Sequence, residues 1–265
     1  MLAPDRFFDT SLFAHGQLFA GTEHVWEALH RLADYLTGLP APDLGRRLPA
    51  GVPLPAPVVV LGGEVMPAAD CRIEYGDTTR GGLVVQRHGA QLAGASVLMA
   101  GAVLTGERIF LGRGVLVESG AFLRGPVLLG DHTEVRQGAY VRGYCLTGAR
   151  CVVGHVTEMK KVIMLDDAKA GHFAYLGDSI LGNRVNLGAG TKLANLRFVK
   201  GNVTVRTPNG PVDTGLRKLG AILGDDVMTG CNTVTNPGAL MGRGGVAFPN
   251  TTVPSGLHPE RAVVR

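Results

Sequence analysis

The sequence predicts a mainly β chain: a parallel β-helix of hexapeptide repeats behind a short N-terminal helical segment. Three observations carry that reading. From Ala93 to Leu165 every sixth residue is apolar or threonine, a small or β-branched residue follows four places after nearly every one, and glycine fills many second positions. The heads of the beat are Ala93, Met99, Thr105, Leu111, Val117, Leu123, Leu129, Val135, Val141, Thr147, Val153, Met159 and Leu165. It resumes at Leu223, Thr229, Thr235, Met241, Ala247 and Val253. Six is a multiple of the strand period of two, so a strand following the beat keeps one face inward. Six does not fit the helical period, and glycines such as Gly94, Gly112 and Gly130 would melt a helix. Each repeat buries its inner face only by stacking on its neighbours. Three hexads make one triangular coil, so positions about 18 residues apart stack; seven or eight coils make a prism of roughly 35 Å.

The elements follow in chain order. Residues 1–57 read as an N-terminal helix and a proline-rich linker. Val25, Leu29, Leu32 and Leu36 form the helical stripe, with Thr22 as N-cap and Gly38 then Pro40 closing it. With Trp26, that stripe is expected to pack on the prism or on a neighbouring subunit. Residues 58–92 are entry strands, with extended runs at Val58 to Leu61 and Leu83 to Val85. Residues 93–265 are the β-helix. Its beat falters after Gly171, with a register slip expected near Leu176 and an extruded hairpin near residues 196–219 around Pro208-Asn209-Gly210. Long excursions from rigid scaffolds commonly carry function.

Composition narrows the class. The 265 residues are 45% hydrophobic and only 6% aromatic, which suits a narrow prism filled by Leu, Val, Ile and Ala. No apolar run approaches the roughly 18 residues of a membrane span, and no basic-then-apolar leader opens the chain, so the cytoplasm is the expected compartment. Net charge is +4, yet no basic run is interleaved with aromatics as a nucleic-acid binder would require. Cys145 and Cys151 fall on consecutive small inward positions and read as core, while Cys71 and Cys231 lack a partner at metal-ligand spacing. No metal is expected.

The second position of each hexad points outward near a corner. Steps of one coil place Arg124, Arg142 and Lys160 in one column, and Glu118, Arg136, Gly154 and His172 in the next. Stacked cations repel by about 1 kcal/mol per neighbouring pair even in water. A solvated face of splayed side chains is the plain explanation; a phosphate-binding edge is the sharper one. A lone histidine is usually structural. With Arg136 in its column, His172 would stay neutral, as a general base requires.

Several ordered motifs go further. They are Arg136-Gln137-Gly138-Ala139, Gly154-His155-Val156-Thr157-Glu158-Met159-Lys160-Lys161, Lys169-Ala170-Gly171-His172, Tyr175-Leu176-Gly177-Asp178, and Asn186 to Thr191 through Asn195. Over roughly residues 110–256 the chain resembles the C-terminal left-handed β-helix domain of the bifunctional glucosamine-1-phosphate acetyltransferase/N-acetylglucosamine-1-phosphate uridyltransferase. It is similar also to archaeal-type sugar-1-phosphate nucleotidyltransferases, through Asn195-Leu196-Arg197-Phe198 and the stretch from Asp213-Thr214-Gly215 to Arg217-Lys218-Leu219-Gly220. The resemblance implies the left hand of the helix and a homotrimer with active sites between subunits. It implies His172 as the base that deprotonates an amino-sugar 1-phosphate attacking acetyl-CoA, with Asn195 and Tyr175 beside the reacting groups. Arg136, Arg142, Lys160 and Asn186 would hold the sugar phosphate; Lys218, Gly230 and Cys231 would lie on the acetyl-CoA side. No Gly-rich phosphate loop followed by Arg stands near the N-terminus, so a stand-alone acetyltransferase form is expected, with a separate nucleotidyltransferase as a candidate partner. Cys231 stands where bacterial relatives carry Ser. A non-catalytic trimeric sugar-nucleotide module remains the alternative. A γ-class carbonic anhydrase does not fit, because His88, His132, His155 and His172 include no His-x4-His pair.

Overall fold

A computed structural model describes residues 1–40 and 43–265; Ala41 and Pro42, within the proline-rich stretch, lie outside the described residues. The chain winds into a β-solenoid whose walls are three ladders of short parallel strands. Face one stacks nine strands, from Ser96–Leu98 through Glu134–Val135, Val152–His155, Lys169–His172, Asn186–Leu187 and Met228–Thr229 to Val263–Val264. Face two runs from Val103–Thr105 through Phe122–Arg124 and Tyr140–Val141 to Thr252–Val253. Face three runs from Ile109–Leu111 through Cys145–Thr147 to Gly256–His258. Two longer strands, Glu158–Met164 and Tyr175–Leu181, bend round the corner and serve both of the latter faces.

Between Ile109 and Met159 the inward positions are those of the beat: Val115, Val117, Ala121, Leu123, Leu129, Val135, Val141 and Val153 line one continuous core. Cys145 and Cys151 are buried there as free thiols, and burial pushes the Cys145 thiol up to about 12. Such thiols are inert toward metals and disulfide exchange.

At both ends of that stretch the register departs from the beat. In the first coil Leu98, Ala102 and Leu104 point inward in place of Met99, Val103 and Thr105, since Leu123 stacks on Leu104. Ala93 is exposed. The second slip falls at Lys160-Lys161, upstream of Leu176. Arg142-Gly143-Tyr144 makes a three-residue corner between Val141 and Cys145; their partners Met159 and Val162 are joined by two residues. Val162 and Met164 therefore face the core, while Ile163 and Leu165 face outward.

Face three is apolar on its outer side as well. Leu146, Ile163, Ile180, Ile222 and Leu240 meet Phe7, Phe8, Phe13, Trp26 and the helix α1 (Glu27–Gly38) in a second core. The stripe Val25, Leu29, Leu32 and Leu36 is fully buried against the prism. No side chain caps α1; its N-cap is Trp26, and the Thr22 hydroxyl instead donates to the Phe19 carbonyl at 2.9 Å. None of the described helices is long and apolar enough to cross a membrane.

Residues 43–57 close the open end of the stack, where Leu44 and Leu54 join the prism core. The Asp43 carboxylate accepts hydrogen bonds from the Gly45, Arg108 and Ile109 amides. Val58–Leu61 pairs antiparallel with Glu64–Pro67 and with Ser96–Leu98. Cys71–Tyr75, Leu83–Arg87 and Ala90–Gln91 then form a separate antiparallel flap, rooted by Leu83 and Val85 against Val97 and Leu116.

Candidate functional site

The strand end of face one is paved with glycine. Gly154, Gly171, Gly188 and Gly230 follow one another where the chain turns toward face two. A Cβ on Gly154 would fall 1.9 Å from the Gly171 carbonyl oxygen, and one on Gly188 would fall 2.5 Å from the Gly230 carbonyl carbon, so close backbone approach requires glycine there. A Cβ on Gly171 would meet nothing within 4 Å. Above that residue opens a cleft of about 600 Å³ lined by Glu134, Arg136, Lys169, His172, Asn186 and Cys231, with Gly76, Asp77 and Thr79 of the flap tip as its far wall.

The cleft thus brings together Arg136, His172, Asn186 and Cys231, with Gly230 immediately beside Cys231. Lys169 and Asn186 sit on neighbouring rungs. Arg136 Nε donates to Glu134 Oε1 at 3.0 Å. His172 is exposed, and its rung partner is His155. The expected column pairing of His172 with Arg136 does not form, because the shortened corner shifts the ladder by one residue; the two residues meet as walls of one cleft instead. His155 is held by the Gln137 carbonyl at 2.9 Å and by an edge-on contact with Phe173.

Arg142, Lys160, Tyr175, Asn195 and Lys218 lie elsewhere, on face two and at the base of the excursion. Buried Asp178 ties two of them together: it accepts from Asn195 Nδ2 at 2.5 Å and from Lys160 Nζ at 3.4 Å. The Tyr175 hydroxyl donates to Asn195 Oδ1 at 3.5 Å. Burial, then the nearby Glu158 and Asp178 carboxylates, raise the Tyr175 phenol above its ordinary value, so it remains a proton donor. A Cβ on Gly177 would strike the Asn195 amide and the Tyr175 hydroxyl, so glycine there lets the chain pass beneath the cluster. The backbone of Lys218 bridges Leu196, and its side chain is exposed. Within the cation column, Arg142 pairs with Glu158 at 2.6 Å and Lys160 with Asp178, so the fold's own carboxylates compensate two of the three charges. The column ends at Gly177. Tyr175 and His172 stand on opposite sides of the corner Phe173-Ala174.

The excursion leaves the stack after Leu193 and rejoins it at Ala221–Leu223, in place of the two-residue corner of the two coils before it. Thr204–Thr207 and Gly210–Asp213 pair antiparallel within it. Val203, Val205, Leu216 and Leu219 anchor it beside α1.

Residues 123–247 match the family described as the GMPPB C-terminal domain. The bifunctional sugar-1-phosphate nucleotidylyltransferase/acetyltransferase of Sulfurisphaera tokodaii is 36% identical over 42% of this chain and 28% of its own length. A bifunctional GlmU protein of Methanococcus maripaludis is 37% identical over 43% of the chain and 27% of its own length. That of Stutzerimonas stutzeri is 32% identical over 54% and 28%. The solenoid is a hexapeptide-repeat β-helix whose C-terminal part is similar in sequence to these GlmU-type proteins. The chain spans about a quarter of the length of the curated relatives it matches.

Three cleft residues escaped the sequence reading of the site. Lys169 and Glu134 face the cleft from the starts of their strands, and Asp77 comes from the flap. Lys169 was legible as a cation at an outward position three residues before His172; Asp77 carried no signal, since only the folding of the flap over face one brings it there. Among the described residues no group of three His, Cys, Asp or Glu side chains could hold a metal ion.

Proposed function

We propose that the chain is an N-acetyltransferase that acts on an amino-sugar 1-phosphate with acetyl-CoA as donor. The observation that carries this reading is the convergence of Arg136, His172, Asn186 and Cys231 on one glycine-floored cleft. Arg136 and Lys169 supply cations for phosphate oxygens. His172 takes the proton from the amine as its nitrogen attacks the thioester carbonyl. The C–N bond forms, the C–S bond breaks, and the coenzyme A thiolate leaves and is protonated. The relatives' bifunctional names and the family match support the class of substrate. In this proposal Arg142, Lys160, Tyr175 and Asn195 complete the cleft of an adjacent protomer, with Lys218, Gly230 and Cys231 toward the acyl donor.

The outer side of face two favours such an assembly. Phe122, Tyr140 and Tyr175 project from it, and Tyr140 stands 39% exposed. A homotrimer would cover these rings while setting the corner cluster of one protomer against the cleft of the next.

The test is release of free thiol from acetyl-CoA with glucosamine 1-phosphate or galactosamine 1-phosphate. His172→Ala should lower turnover about 10²–10⁴-fold, the usual share of a general base. Full activity in that variant would remove the role. The partial coverage of the relatives favours a second reading, a non-catalytic sugar-nucleotide module, which predicts ligand binding with no thiol released. A parallel assay for pyrophosphate with UTP and sugar 1-phosphate separates nucleotidyl transfer from both.

A further inference from the structure

The flap of residues 71–91 lies outside the residues matched by the family. Its tip nevertheless forms a wall of the cleft through Gly76, Asp77 and Thr79. The tip is rigidly built. Asp77 Oδ1 accepts from the Thr79 amide at 3.0 Å and from the Thr79 hydroxyl at 2.7 Å. The Gly82 amide donates to the Asp77 carbonyl, and the Gly76 amide to the Gly82 carbonyl. A Cβ on either Gly76 or Gly82 would fall 2.7 Å from backbone across the loop, so the turn closes tightly on itself. Asp77 Oδ2 takes no hydrogen bond of this kind; its nearest cation is Arg80, 3.5 Å away on a side chain 86% exposed. The hydrogen bond from the Thr79 hydroxyl holds the carboxyl below its ordinary range, and the Arg80 and Lys169 charges act in the same sense, so the group is anionic at neutral pH.

The cleft therefore carries two kinds of charge. On the prism wall stand Lys169 and Arg136, the latter paired with Glu134, and a fixed carboxylate faces them from the flap. Phosphate alone would be served by the cations and repelled by the carboxylate. A ligand with a phosphate at one end and an ammonium at the other satisfies both.

We infer that Asp77 is a specificity-determining residue that receives the ammonium of the amino sugar and so distinguishes it from the corresponding hydroxyl sugar. The flap thus adds to the matched solenoid a contact that selects for nitrogen, presenting the amine to His172. This inference rests on the amino-sugar phosphate reading, and binding rather than turnover tests it.

Calorimetric titration of the intact chain with glucosamine 1-phosphate and with glucose 1-phosphate gives the discrimination ratio directly. The unsubstituted protein should bind the amino sugar more tightly. Asp77→Asn keeps an oxygen acceptor for the Thr79 amide and hydroxyl, and lies on an exposed loop, so the fold is retained. It should weaken glucosamine 1-phosphate about tenfold and leave glucose 1-phosphate within about twofold, as expected for loss of one charge-assisted contact. A ratio unchanged by Asp77→Asn, or no preference in the unsubstituted protein, overturns the inference. A preference abolished by Asp77→Asn without any thiol release sustains it and removes only the acetyl transfer. Binding of neither sugar phosphate removes both.

Discussion

Gly171 shows how one absent side chain can define a site. The glycines before and after it are required by chain packing, since a Cβ at Gly154 or Gly188 would collide with the next rung. At Gly171 no such contact exists, and its φ lies outside the left-handed region. The open space above it is the cleft floor. Gly171→Val should therefore leave thermal unfolding nearly unchanged while abolishing sugar-phosphate binding, measured by scanning fluorimetry and titration on the same preparation. Normal binding in a stable Gly171→Val protein would show that ligand does not reach this floor. Asp178 is the counterpart at the neighbouring corner: a buried carboxylate with φ of 45° that ties Lys160 and Asn195 to one point.

Among the elements, the N-terminal strap of residues 1–26 and α1 cover the outer side of face three. His15 joins them, its Nδ1 within 2.7 Å of the Tyr35 hydroxyl and its ring edge-on to Phe13. Burial holds the His15 imidazole below its ordinary 6.5, while the Asp166 carboxylate opposes that shift. As pH falls below 6.5 the unfolded chain takes up a proton that the folded one resists, so stability is full above 6.5 and declines through the acid side. The melting temperature should fall between pH 7.5 and pH 5, and His15→Gln should flatten that fall; parallel profiles for the two proteins would refute the coupling. Much of these elements was legible. The stripe from Val25 to Leu36 and the beat from Ile109 to Met159 name buried side chains correctly, because one face of each is apolar and the other is not. The slip at Lys160-Lys161 was hidden for the opposite reason. Face three is apolar on both sides, so Val162 and Met164 could not be told from Ile163 and Leu165 by alternation. For the same reason the outward row Leu128, Leu146, Ile163, Ile180, Ile222, Leu240 and Leu257 could not be told from the inward one by alternation, although its steps of 17 or 18 residues, broken between Ile180 and Ile222 by the excursion, mark a covered face.

At the scale of the molecule, the three walls have different fates. Face three is sealed by the strap, α1 and the excursion; face one is roofed in part by the flap; the rings of face two stay partly exposed. Under the proposed trimeric assembly the 27.8 kDa chain should sediment at three times its mass, and Tyr140→Lys should reduce both that mass and turnover. A fully active monomer would rule out a site shared between protomers. The family motifs made Arg136, His172, Asn186 and Cys231 legible as candidates, and one ladder brings them to one cleft. They did not reveal that Arg142, Lys160 and Tyr175 stand apart from it, because those residues lie beyond the corner on face two.

The excursion between Leu193 and Ala221 departs and returns at a single corner, with Ile180 still stacked on Ile222 and Leu181 on Leu223. Its length is thus decoupled from the pitch of the spiral. Descendants of this chain could lengthen, trim or exchange that appendage, and with it whatever overhangs the rim, while every storey above and below stayed in alignment.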